Sequence, residues 1–184
     1  MGKKATDPRQ RTQAYEAAKQ EIEKVLEPLD PKNPYHGSIR AQALYWRGIT
    51  ERMLGQLHQA VQTFSEAIEL NPEFSEAYYR RGICYHYLGD DRLAIADFTE
   101  ASNIDFSDPR AALWLGFTHA KMGDYRDALR AYSDAIAASD RYTPAYINRG
   151  LAYMALGEYD KALADFNDAV RLEPTNPDYY FKRG

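Results

Sequence analysis

One spacing constrains this chain more than any other feature: glycine recurs at Gly48, Gly82, Gly116, Gly150 and Gly184, each step being 34 residues. A second glycine column, Gly55, Gly89, Gly123 and Gly157, keeps the same register. So do two alanine columns, Ala60, Ala94, Ala128, Ala162 and Ala67, Ala101, Ala135, Ala169. Between them runs an aromatic column, Phe64, Phe98, Tyr132 and Phe166. Columns of different residue types holding one register define a repeat, and a repeat of this length is one supersecondary unit stacked on copies of itself.

The columns also specify the unit. Each repeat opens on a segment such as AYYRRGICYHYLGD, a helix with a glycine inside it. Interior glycine costs about 1 kcal/mol against alanine. Close approach of a neighbouring helix, with the column alanine as its small facing surface, is the expected compensation. The second glycine, in LGD, MGD and LGE, ends that helix as a C-cap. The acid after it (Asp90, Asp124, Glu158) favours the start of the next helix through the macrodipole. A second helix follows, as in DKALADFNDAVRLEP, apolar at helical spacing and stopping near Pro72 and Pro174. Two helices and a tight turn make a helical hairpin.

The pattern resembles the tetratricopeptide repeat over residues 41 to 184, and the fourth repeat carries it best, with Tyr146, Gly150, Tyr153, Ala162, Phe166, Ala169 and Pro174. The resemblance implies an all-α fold, an α-solenoid in which antiparallel helix hairpins stack into a right-handed superhelix. Four repeats fall at 41–74, 75–108, 109–142 and 143–176, and residues 177–184 open a fifth that breaks off at its glycine. The second and third repeats have Phe106 and Asp140 in place of the closing proline, with Pro109 and Pro144 displaced, so those turns are expected to run differently. Residues 1–36 stand outside the period. Within them, 7–29 reads as an amphipathic helix begun by Asp7-Pro8, with Tyr15, Ala18, Ile22, Val25, Leu26 and Leu29 as its apolar stripe, packing on the first repeat as a cap. PKNPYHGS then links it to the array.

Composition narrows the function. The net charge is -4, which argues against a nucleic-acid footprint. No apolar run is long enough to span a membrane, and the start is not a secretory signal. The single cysteine, Cys84, excludes an internal disulfide framework and fits a reducing, cytoplasmic setting. Gly2 and Thr6 match the loose pattern for N-myristoylation, for which chance is the plainer explanation. The histidines (His36, His58, His86, His119) lack metal-site spacing, and no nucleophile or phosphate-loop motif occurs, so no enzyme activity, cofactor or metal is expected. Arg47, Arg81, Arg149 and Arg183 precede the column glycine. Sixteen residues after Arg81 and Arg149 stand Asp97 and Asp165, while the third repeat changes both partners, to Leu115 and Ala131. Intrarepeat ion pairs follow, with Arg47 and Thr63 as an exception the sequence leaves unexplained.

In this family the first helices line the inner face of the array, through repeat positions 2, 5, 6, 9, 12 and 13. Those positions give Tyr45, Trp46, Ile49, Arg52 and Met53, then Glu76, Tyr79, Arg80, Ile83, His86 and Tyr87. They continue with Arg110, Leu113, Trp114, Phe117 and Lys121, then Ile147, Asn148, Leu151 and Met154, with Phe181 and Lys182 beyond. The face is aromatic and tinged basic. That composition suits a protein partner, an amphipathic or acidic peptide segment or helix, held by a scaffold or adaptor. The alternatives are self-assembly through the open last repeat, the amino-terminal helix filling the groove itself, and an accessory domain of a larger enzyme. A clamp that grips a terminal carboxylate in some family members needs Lys and Asn at positions 5 and 9, Asn at 6 of the next repeat, then Lys and Arg at 2 and 6. Here those places hold Tyr45, Ile49, Arg80, Arg110 and Trp114 or, one repeat later, Tyr79, Ile83, Trp114, Pro144 and Asn148. Binding of that kind is not expected.

Overall fold

A computed structural model describes residues 7–30, 33 and 36–179. Among them lie nine helices and no strand: α1 Pro8–Leu26, α2 Gly37–Met53, α3 Leu57–Leu70, α4 Ser75–Leu88, α5 Asp91–Ile104, α6 Pro109–Lys121, α7 Tyr125–Ala138, α8 Thr143–Ala155 and α9 Tyr159–Leu172. The chain divides into two compact units, the first running to Asp90 and the second from Asp91. Gly2, Phe181, Lys182, Arg183 and Gly184 lie outside the described residues.

Helix ends follow the sequence signals. Gly55, Gly89, Gly123 and Gly157 all have φ between 76° and 88°, the left-handed conformation that ends a helix and turns the chain back. Asp7 and Asp108 accept backbone N–H bonds from Arg9 and Arg110, and Pro8 and Pro109 occupy the first helical position, where a missing N–H costs nothing. The displaced Pro109 therefore starts α6 rather than ending α5, and Phe106 is left exposed in the turn before it. Helix α1 stops at Leu26, three residues short of the expected end, with Pro28 just beyond.

In the first unit α2 packs on α3 and α3 on α4, around Tyr45, Ala60, Phe64, Ile68, Ala77 and Cys84. Helix α1 caps α2 through Leu26 and Ile22, which meet Ala43, Leu44 and Ala67. In the second unit α6 packs on α7, α7 on α8 and α8 on α9. Its buried layers are small, with Ala112, Ala135 and Ala145 in one, Ala128, Tyr132 and Ala152 in another, and Phe166 at the far end.

The interior glycines are explained differently from the expectation. A Cβ on Gly48 would stand 2.7 Å from the Phe64 ring, one on Gly116 2.5 Å from Tyr132, and one on Gly150 2.7 Å from Phe166. The glycine is thus a slot for the ring of the facing helix, not a site where two backbones touch. Glycine column and aromatic column are one device.

Tyr132 is the one tyrosine in a column otherwise made of phenylalanine, and burial pushes its phenol well above its ordinary value. A raised value means the folded state holds the neutral phenol. Stability from this site is complete below the unfolded value of about 10 and falls as pH climbs past it. Tyr132→Phe is therefore expected to leave a stability difference from wild type that is flat up to about pH 9 and shifts in favour of Phe above about pH 10. Urea midpoints at stepped pH check this, and a flat difference throughout would refute it.

Arginines before the column glycine tie the helices together. Arg149 donates from Nε and an Nη to the two oxygens of Asp165 at 2.9 and 2.7 Å, as the sequence predicted, and from its other Nη to Ser133 Oγ at 3.1 Å. The Asp165 hydrogen bond, against the opposing effect of burial, holds the guanidinium above its ordinary value. Arg81 reaches back in the same way to Ser65 Oγ at 2.8 Å.

The first repeat has its own solution, which accounts for Thr63. Glu51 occupies the column held elsewhere by Tyr85, His119 and Tyr153, and it is buried. It accepts from Thr63 Oγ1 at 2.7 Å and lies 3.3 Å from Lys19 of α1 and 3.6 Å from Arg47, which also donates to Thr63. Arg47 and Lys19 thus bracket a carboxylate that belongs to the cap contact.

Candidate functional site

Whether the first helices offer a binding face depends on which side chains their own hairpins consume. In the first unit Tyr45 is consumed: its ring packs 5.0 Å from Phe74 and 6.1 Å from Phe64, in the core. Tyr79 and Ile83 are buried as well, Tyr79 with the Arg80 guanidinium 5.2 Å above its ring. These three are corrections to the expected groove set, and Ile147 of α8 is another, buried against Phe166 and its neighbours. The reason is common to all four. An α-helical face about 100° wide is claimed by packing, and in these short hairpins the claimed stripe includes positions 5 or 9. Ile49 is half-buried against the Tyr45 cluster.

What stays exposed in the first unit is Trp46 at 51%, Tyr87 at 63% and Met53. Trp46 stands edge-on to Tyr45 at 5.2 Å and projects outward. It lines a groove of about 740 Å³ between α1 and α2, with Ala18, Ile22, Val25, Ile39 and Ala43. The amino-terminal helix therefore sits beside this tryptophan and leaves it accessible.

In the second unit Phe117 at 44%, Leu151 and Met154 are exposed on α6 and α8. Trp114 is half-buried, tilted against Phe98 at 6.0 Å and meeting Phe117 edge-on at 5.7 Å. Leu113 is half-buried against the alanine layers, on the core side. Asn148 turns its amide onto the Pro144 carbonyl of its own helix at 2.7 Å.

The basic tint is largely neutralised by the chain itself. Arg110 Nε lies 2.9 Å from both oxygens of Asp108, and Lys121 Nζ lies 2.8 Å from Asp91. Arg80 has Glu76 at 3.7 Å, one helical turn away. Arg52 leans on the Met53 sulfur at 3.5 Å. Sequence position alone could not show these pairings, because Asp108 and Asp91 belong to a cap and to a second helix. Sequence reasoning also passed over Phe106, Tyr159 and Leu163, all exposed. Phe106 had a signal, since it fills the place of the closing proline.

Among the described residues no group of three or more His, Cys, Asp or Glu could hold a metal ion, and no helix is long and apolar enough to cross a membrane.

Comparisons agree with this architecture. Residues 48–89 match the TPR repeat family, and 75–108, 109–132 and 143–176 match tetratricopeptide repeat families. No curated protein matches the chain. Among solved structures it is similar to MamA, at 26% identity over 92% of this chain and 96% of that one, with a TM-score of 0.77. It is similar in fold to YrrB, described as a TPR protein with an unusual peptide-binding site, at 21% identity over 78% and 74% with a TM-score of 0.66. It is also similar in fold to the first TPR of Spaghetti (RPAP3) bound to an HSP90 peptide, at 24% identity over 59% and 86% with a TM-score of 0.56.

Proposed function

We propose that this chain, which belongs to the tetratricopeptide repeat family, is a protein-interaction scaffold that holds a partner segment on the first helices of its hairpins. The observation that carries this is the set of side chains the hairpin cores leave over within each unit: Trp46 and Tyr87 in the first unit and, separately, Phe117, Leu151 and Met154 in the second. Large apolar groups left in water by helices that otherwise pack tightly mark a docking surface. Aromatic residues are the usual anchors of such surfaces. Two fold neighbours support the reading, one described with a peptide-binding site and one bound to a peptide.

The partner's chemistry follows from the charge pairing. Arg110, Lys121 and Arg80 are each matched by an acid of this chain, so an acidic ligand would have to displace Asp108, Asp91 or Glu76. An amphipathic helix or extended segment presenting an apolar edge fits better than a strongly acidic tail. The residues needed for a carboxylate clamp are absent at the corresponding positions, which separates this chain from members that grip a terminal carboxylate.

The test is a double variant at exposed positions, Phe117→Asp with Leu151→Asp, which leaves both cores intact. Affinity for partners captured by the wild type is expected to fall at least about thirtyfold, the loss of an anchor cluster worth about 2 kcal/mol. Isothermal titration with a captured partner reads it, and unchanged affinity in a folded variant overturns the assignment of this face.

A further inference from the structure

The third repeat is hollow where the fourth is full. Repeat position 4 is Leu44, Tyr78 and Tyr146 in the other repeats and Ala112 here, and position 30 is Leu70, Ile104 and Leu172 elsewhere and Ala138 here. Both alanines line a cleft of about 500 Å³ in the second unit, walled by α5, α6 and α7. The equivalent cleft one repeat later is about 350 Å³, and Tyr146, Arg171 and Leu172 stand in it where the larger one has Ala112, Ala137 and Ala138. Protein interiors are close-packed, and side chains missing from packed positions cost stability through the void they leave. The third repeat forgoes that stability and keeps the room.

A charge is left over at the same place. In the fourth repeat Asp168 is held by Arg171 at 3.0 Å. Asp134 occupies the same position one repeat earlier and lines the larger cleft, but Ala137 stands where the arginine would be. Arg130, one turn before Asp134, goes instead to Asp127 at 3.1 Å. Asp134 has no ion-pair partner among the described residues, whereas Asp108, the other carboxylate of the cleft, is taken by Arg110. At the rim stands Phe106, 82% exposed, in the turn position that is Pro72 and Pro174 in the first and fourth repeats.

We propose that this cleft receives an arginine side chain of a partner protein, its stem along Ala112, Ala137 and Ala138 and its guanidinium held by Asp134 and the Phe106 ring. The guest supplies what the repeat lacks: bulk for the absent tyrosine and leucine, and a cation for the absent Arg171. A guanidinium suits both walls, because it is planar, stacks on an aromatic face and offers a carboxylate two parallel N–H donors. The cleft uses none of the residues proposed above as the docking face, so it stands or falls separately.

The probe is the blocked tripeptide acetyl-Gly-Arg-Gly-amide, titrated into the nitrogen-15-labelled chain and followed by backbone amide shifts. Its control is the same peptide with citrulline, which keeps the shape and loses the charge. Saturable shifts at Phe106, Asp134 and Ala138 are expected, with a dissociation constant of about 1–10 mM for one side chain in an open cleft. Binding is expected to weaken at least about fivefold with the citrulline peptide, with Asp134→Asn, and with Ala137→Arg, which copies Arg171 and supplies the cation from within. Both substitutions are at exposed positions, and far-ultraviolet circular dichroism verifies folding. An absence of shifts at the cleft, equal binding of the citrulline peptide, or undiminished binding by either variant would each overturn the proposal.

Discussion

Arg149→Ala is expected to destabilise the chain by about 3–5 kcal/mol. The reason is what it leaves behind. Asp165 is 3% exposed, and its two oxygens are both held by the Arg149 fork. Without the cation, a carboxylate remains in the interior beside Phe166 and Ala162, unable to recover the water it lost on folding. Asp165→Ala is expected to cost less, because the abandoned guanidinium, with a fifth of its side chain exposed, still reaches solvent and Ser133. The chain carries its own control. In the third repeat the same two positions are Leu115 and Ala131, an apolar pair that folds into the same hairpin. Arg149→Leu with Asp165→Ala copies that repeat and is expected to lie within about 1 kcal/mol of wild type, since a buried ion pair replaced whole by apolar groups is close to neutral. Urea denaturation of wild type and these three variants reads the differences. A single arginine truncation costing under about 1 kcal/mol would mean that the pair is not desolvated.

How far the sequence reached is clearest at this same position. Matching of Arg149 to Asp165, and of Leu115 to Ala131, gave a contact between helices before any coordinates, because both ends of the pair recur with the period. Likewise the second glycine column announced the turns, since only a residue free to take positive φ serves there. Legibility failed where the partner lies off the period. Glu51 breaks a column held elsewhere by Tyr85, His119 and Tyr153, and its partner at 3.3 Å, Lys19 of α1, belongs to no repeat. Asp108 and Asp91 took Arg110 and Lys121 out of the candidate face because neither acid, though inside a repeat, recurs at its repeat position. The face itself was half legible. The family resemblance puts positions 5 and 9 of a first helix on the inner face, but Tyr45 and Ile83 show that it does not say whether the neighbouring helix has already covered them. Burial depends on the girth of facing side chains, which a column pattern does not encode.

Gly150→Ala is expected to destabilise by up to about 2 kcal/mol even though it removes a helix-breaking residue from a helix interior. Two effects oppose each other. Alanine gains about 1 kcal/mol of helix propensity. Its Cβ, however, would lie 2.7 Å from Cε1 of Phe166, a ring that is itself buried and has no free direction to move. Overpacking of a filled core costs about 1–3 kcal/mol, and the clash wins. Gly150→Val adds two methyl groups to the same slot, and a loss of about 3 kcal/mol or more is expected. The contrast is Gly157→Ala. Nothing lies within 4 Å of a Cβ there, so its cost of about 1 kcal/mol comes from φ at 76° alone. The decisive variant removes the ring edge: in a Phe166→Leu background, Gly150→Ala should become neutral or stabilising, as the propensity gain is no longer opposed. Thermodynamic coupling of that double-mutant cycle should reach about 1–3 kcal/mol. Additive effects would place the constraint on Gly150 elsewhere, with the backbone of a neighbouring helix, and separate the glycine column from the aromatic one that now explains it.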